Sequence, residues 1–165
     1  MLLIWGVLAL LGGLAGQRDI MNPLPRTLFT HSGGTSSTTA ETPVDSHALF
    51  MRYSTLPEVE TALAAARTAG KPAILDYYAT WCLDCVRMEK GTLADPRVRS
   101  ALKRFALIQA DVTETNATTQ AIKSRFKVLG PPALLFFGAD GRERTDLHFY
   151  GYRNVEDFLA ILEKI

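Results

Sequence analysis

The chain has 165 residues, 47% of them hydrophobic and 21% charged, with a formal net charge of +1. This length supports one domain with its own core plus some further sequence, and the even charge balance excludes the basic footprint of a nucleic-acid-binding protein. Two cysteines are too few for a disulfide scaffold, so whatever chemistry they carry must lie in their spacing.

Residues 1–16, MLLIWGVLALLGGLAG, contain no charge and are almost wholly apolar. A full membrane span needs roughly 20 such residues, so the stretch is short for one. Three readings stay open: the end of a transmembrane helix from a longer protein, a signal peptide or anchor, and a core helix. Gly13 and Ala15 offer small residues for cleavage, but no Lys or Arg precedes the apolar run, as a signal peptide requires. Arg18 and Arg26 follow it, too few to settle orientation by the positive-inside rule. Residues 17–46 turn rich in Ser, Thr and Gly and read as a flexible linker, which leaves 47–165 as the folded domain.

Within the domain, Ala48–Tyr53 reads as a short edge strand. Thr55-Leu56-Pro57-Glu58 is a capping box with Pro near the first turn, and Val59, Ala62, Leu63 and Ala66 follow at helical spacing until Gly70. Pro72–Ala79 is a nearly continuous apolar run, the pattern of a buried central strand. The cysteine stretch and a helix to about Lys90 come next. Gly91 interrupts that helix and Asp95-Pro96 restarts one, with Val98, Ala101, Leu102 and Phe105 on its buried face. Ala106–Val112 is the next strand, and Asn116–Phe126 the next helix. Ala133–Phe137 is a third buried strand, which Asp140-Gly141 turns into Leu147–Tyr152 as a hairpin partner. Asn154 caps a last helix with Phe158, Ile161, Leu162 and Ile165 on one stripe. The order β-α-β-α-β-α-β-β-α predicts an α/β fold, a central mixed sheet with helices on both faces.

Cys82 and Cys85 lie in ATWCLDCVRMEKGT, between the buried strand and the following helix. A structural zinc site needs about four ligands, whereas His31, His47 and His148 are isolated from one another and from the cysteines. A structural disulfide across so small a loop removes little chain entropy. A redox pair fits the context better. Cys82 at a helix N-terminus has its thiolate stabilised by free N–H groups and the helix dipole, and Cys85, one turn inward, can resolve a mixed disulfide.

These residues resemble the thioredoxin fold across 47–165, through WCLDC after a buried strand and GPPALLFF before a later one. More closely, KPAILDYYATWCLDCVRMEKGTLADPRV is similar to the C-terminal periplasmic domain of the DsbD family of transmembrane thiol:disulfide interchange proteins. Thr80 departs from that family's usual acidic residue, and Leu83-Asp84 from its usual small or apolar pair, which bears on redox potential rather than reaction type. The resemblance implies catalytic roles for Cys82, Cys85, Asp76 and Glu89. Asp76 would sit beneath the cysteines and relay a proton to or from Cys85, and the Glu89 charge would raise the thiol pKa values. It also implies that Pro132 is a cis-proline facing the cysteines, with Pro131 and Trp81 beside it in partner binding.

Residue by residue, each of these has a plainer alternative. Asp76 could face solvent at a strand edge, Glu89 could be an ordinary solvated helix residue, Trp81 could be core, and Pro131-Pro132 a rigid loop. Asp84 suits the helix dipole but opposes a neighbouring thiolate, and Asn116-Ala117-Thr118 is a glycosylation sequon of a kind that arises often by chance.

The function expected is a thiol-disulfide oxidoreductase that needs no metal or organic cofactor, because the cysteine pair carries the two electrons. The resemblance implies an electron-donor domain in the membrane and disulfide-containing periplasmic partners that serve disulfide isomerisation and cytochrome c maturation. It further implies a place at the bacterial inner membrane, held by the N-terminal segment, with the domain in the periplasm. Two alternatives stay open: an independent membrane-anchored disulfide reductase, and a non-catalytic adaptor built on the same fold.

Overall fold

Alternation along two apolar strands decides the layering of this protein. In the computed structural model, which describes residues 49–165, strands β2 (Ala73–Tyr78) and β4 (Ala133–Phe137) are buried at every position. Leu75, Tyr77, Leu135 and Phe137 point to one side of the sheet; Ile74, Leu134 and Phe136 point to the other. A strand buried on both faces needs a helical layer on each. The first side is covered by α1 (Leu56–Thr68) and α4 (Ala117–Phe126), through Val59, Ala66, Ile122 and Phe126. The second is covered by α3 (Pro96–Leu102) and α5 (Val155–Leu162), through Val98, Leu102, Phe158 and Leu162.

The sheet has five strands in the order β1-β3-β2-β4-β5, with β1 at Met51–Tyr53, β3 at Ala106–Asp111 and β5 at Phe149–Tyr150. β1, β3 and β2 run parallel, while β4 is antiparallel to both β2 and β5. This is the expected mixed sheet with helices on both faces. Helix α2 (Leu83–Lys90) leaves the C-terminal end of β2 and bridges the layers: Cys82 and Cys85 join the first core, Met88 the second.

Helix ends follow the capping residues. Thr55 Oγ1 accepts from the Glu58 N–H at 3.4 Å while Glu58 Oε2 accepts from the Thr55 N–H at 3.1 Å. Gly70, at φ +62, ends α1 in the left-handed conformation that glycine adopts without a Cβ penalty. Gly91 ends α2, a 3-10 turn follows at Thr92–Ala94, and Asp95 restarts the helix by accepting from the Arg97 N–H at 2.8 Å. Asn116 accepts from the Thr119 N–H at 3.0 Å, so the sequon asparagine has its side chain engaged as a helix cap.

α3 ends at Leu102 and α5 at Leu162, so Phe105 and Ile165 pack from beyond the helices on which they were expected. Two strand expectations also need correction. The first strand does not reach back to Leu49: Leu49 and Phe50 form a turn and bend, with Phe50 buried in the second core, and pairing to β3 begins at Met51. The last hairpin is also looser than expected. The turn closes through Gly138 N–H to Arg142 O at 2.9 Å, but a 3-10 turn at Thr145–Leu147 follows, and only Phe149 and Tyr150 pair with β4. Leu147 packs into the second core from that turn, so its burial required no strand. The proposed apolar segment 1–16, the linker 17–46 and the domain start at His47 lie outside the described residues. Among the described residues no helix is long and apolar enough to cross a membrane.

Candidate active site

Cys82 is the N-cap of α2 in extended backbone, and its Sγ accepts from the Cys85 N–H at 3.2 Å. The spacing of three puts the two side chains on the same side of the first turn, and they are joined as a disulfide with Cα atoms 5.3 Å apart. Both are buried, whereas their neighbours are not: Trp81 is 60% exposed and Leu83 85%.

Trp81 is not a core residue. Its indole Nε1–H donates to Thr113 O at 3.0 Å, and the Thr80 N–H donates to Thr113 Oγ1 at 3.0 Å, which ties the cysteine loop to the end of β3. The ring forms one wall of a cavity of about 150 Å³ shared with Tyr77, Val112, Lys123, Leu129 and Pro131. The Pro131–Pro132 peptide is cis. Pro132 O accepts from the Gly151 N–H at 3.0 Å, and a Cβ at Gly151 would stand 4.0 Å from Asp84 Oδ2. Gly151 therefore packs between the proline loop and the first turn of α2, with φ +76 that favours glycine.

Asp76 does not face solvent at an edge. It lies mid-way along central β2, is 4% exposed, and accepts from Gln109 Nε2 at 2.8 Å. Burial is the main force on its carboxyl and pushes the pKa from 3.8 up to about 7. The Gln109 hydrogen bond opposes that rise, the Glu89 charge adds to it, and the Arg52 charge opposes it. Glu89 is likewise not a solvated helix residue: it is 5% exposed, one turn beyond Cys85 on α2. A buried acid held near neutrality changes its protonation in the physiological pH range.

Three participants escaped the sequence reading. Gln109 is the buried polar residue of β3, whose other polar residue, Asp111, stands at the strand end; only its cross-strand partner makes that signal meaningful. Thr113 and Gly151 lie in loops whose contacts are wholly non-local. His148 lies apart from the cysteines, 3.8 Å from Glu143.

A redox-type cysteine pair at a helix N-terminus, a mixed five-stranded sheet and a cis-proline loop define a thioredoxin-like protein. The thioredoxin-like family model matches residues 54–139, and the chain belongs to that family. Its relatives narrow the class. The thiol:disulfide interchange protein DsbD of Ralstonia nicotianae is 38% identical over 159 residues, covering 96% of this chain and 25% of that protein. The crystal structure of the Neisseria meningitidis DsbD C-terminal domain in its oxidised form superposes with a TM-score of 0.61 and 28% identity, covering 69% of this chain and 98% of that domain. A thioredoxin from Thermus thermophilus gives a TM-score of 0.55 at 27% identity, over 69% of this chain and 85% of its own. The domain is homologous to the DsbD C-terminal domain. The chain spans about a quarter of the length of the curated relatives it matches.

Proposed function

We propose that this protein is a thiol-disulfide oxidoreductase that passes electrons from a membrane domain to periplasmic disulfides. The observation that carries this reading is the Cys82–Cys85 disulfide at the first turn of α2, with Cys82 as the cap and exposed apolar residues on either side. In the reduced protein, the Cys82 thiolate attacks one sulfur of a partner disulfide. A mixed disulfide forms and one partner thiolate leaves. Cys85 then loses its proton to ionised Asp76 and attacks Cys82 Sγ; the intramolecular disulfide forms and the second partner thiolate departs. The partner gains two electrons and this domain loses two.

Glu89 places a second negative charge near Asp76, which keeps the acid protonated until the mixed disulfide needs a base. Trp81 and the Pro131-Pro132 loop receive the extended partner segment. Re-reduction comes from a membrane domain, consistent with relatives named thiol:disulfide interchange proteins that are about four times as long as this chain. The apolar segment 1–16 holds the domain at the inner membrane, with 47–165 on the periplasmic side.

The test is a trap. In full-length protein carrying Cys85→Ala, Cys82 should remain joined to whatever it attacks, and adducts can be identified under non-reducing conditions. One or two dedicated redox partners are expected. A broad set of clients would favour an independent reductase, and absence of any Cys82-dependent adduct would overturn the redox reading.

A further inference from the structure

Three neighbouring strands carry a polar residue at one register: Arg52 on β1 pairs with Gln109 on β3, which pairs with Asp76 on β2. Their side chains form a continuous chain. Arg52 Nε donates to Gln109 Oε1 at 3.0 Å, and Gln109 Nε2 donates to Asp76 Oδ2 at 2.8 Å. The outer end reaches water, with the Arg52 side chain 38% exposed, while Gln109 and Asp76 are buried.

The direction of the chain is dictated from its outer end. A guanidinium has donors only, so Gln109 must turn its carbonyl toward Arg52 and its NH2 toward Asp76. A carboxylate is satisfied by that NH2. If the amide turned over, it would present an oxygen to Asp76, and only a protonated carboxyl could then complete the hydrogen bond. Arg52 is itself braced: its Nη1 lies 3.4 Å from Asp111 Oδ2, and its guanidinium carbon 5.0 Å from the centre of the Tyr78 ring.

We propose that Arg52 is a positioning residue for Asp76: it locks the Gln109 amide with its NH2 toward β2, and thereby holds the buried acid in the ionised form that accepts the Cys85 proton. The effect on exchange rests on the reaction proposed above; the lock on the amide does not. The other groups around Asp76 are Glu89 from α2, which opposes ionisation, Tyr78 two residues along β2, and Asp111 beyond Gln109 on β3. On the β4 side its partner is apolar Leu134. Changing Arg52 removes the cation over the Tyr78 ring and the ion-pair partner of Asp111, and leaves Glu89 and Leu134 in place.

The experiment is a carbon-13 carboxyl titration of Asp76 in the oxidised full-length chain, with the resonance assigned through Asp76→Asn. Arg52→Leu should move the titration upward by about one pH unit, the size expected for losing a hydrogen bond to a charged group. Arg52→Lys keeps a donor and should stay near the wild type. Gln109→Leu should raise the midpoint by itself, and adding Arg52→Leu to it should change little. An unchanged midpoint in Arg52→Leu overturns the lock, as does an equal shift in the Gln109→Leu background, which would mark a direct charge effect. If Gln109→Leu does not fold, Gln109→Met takes its place in the same cycle.

The pH profile of disulfide exchange, run in parallel, separates the two readings. A titration that moves as expected while exchange is absent, or while its profile ignores Asp76, leaves the lock standing and removes the exchange function.

Discussion

Asp76 is a carboxyl that the fold has taken out of water. Its carboxyl is held near pKa 7, well above 3.8, so the native state binds the proton more tightly than the unfolded state. Its contribution is therefore full below about pH 4 and is lost as pH rises through about 7. In the oxidised protein, where the cysteines do not titrate, urea unfolding should show stability falling by about 3 kcal/mol between about pH 5 and pH 9. Asp76→Asn should remove most of that slope and, under the proposed reaction, slow resolution of the mixed disulfide. A wild-type slope that survives the substitution would assign the pH dependence to another group. Trp81 offers the complementary case. Truncation of an exposed ring held at one edge by Thr113 should leave stability nearly unchanged, yet Trp81→Ala should slow adduct formation in the trap by roughly ten-fold, the loss of a central contact residue.

Among the helices, α5 and α4 are anchored differently, and the difference is measurable. Phe158 is fully buried, and its ring meets Phe149 of β5 edge-on at 6.0 Å. Phe158→Ala should cost about 3–5 kcal/mol of unfolding free energy, because it leaves a cavity between helix and sheet. α4 depends more on its cap. Asn116 and Thr119 bond each other's backbone N–H groups reciprocally, and Asn116→Ala should cost about 1 kcal/mol. Both losses can be read from denaturant midpoints.

For the molecule as a whole, fold and chemistry converge at one end of the sheet. β2 ends at Tyr78, α2 starts at Leu83, the proline loop precedes β4, and Gly151 follows β5. Loops from three parts of the chain thus surround one disulfide, which is where the proposed exchange would take place. A larger cavity, about 270 Å³, lies elsewhere, between α1, α4 and the end of β4, rimmed by the Glu60–Arg125 ion pair. It contains none of the residues that the proposed exchange reaction uses.

The sequence by itself determined the helix starts, the two buried strands and the cysteine pair. Caps, glycines and CxxC spacing are local features, in which residues three or four apart interact whatever the rest of the chain does. The same locality made Gly91 and Asp95-Pro96 legible as the break and restart between α2 and α3. It misled where burial came without strand pairing, as at Phe50 and Leu147, since an apolar residue does not say which neighbour will cover it. Only the tertiary structure decided that Asp76 and Glu89 are buried, that Trp81 is exposed, and that Gln109 and Arg52 stand in line with Asp76. Those facts depend on strand order and register, through which residues more than thirty positions apart come into hydrogen-bond distance. A charge becomes a poised acid through what the fold removes from around it, and that water is lost only when β3, β4 and α2 close over β2.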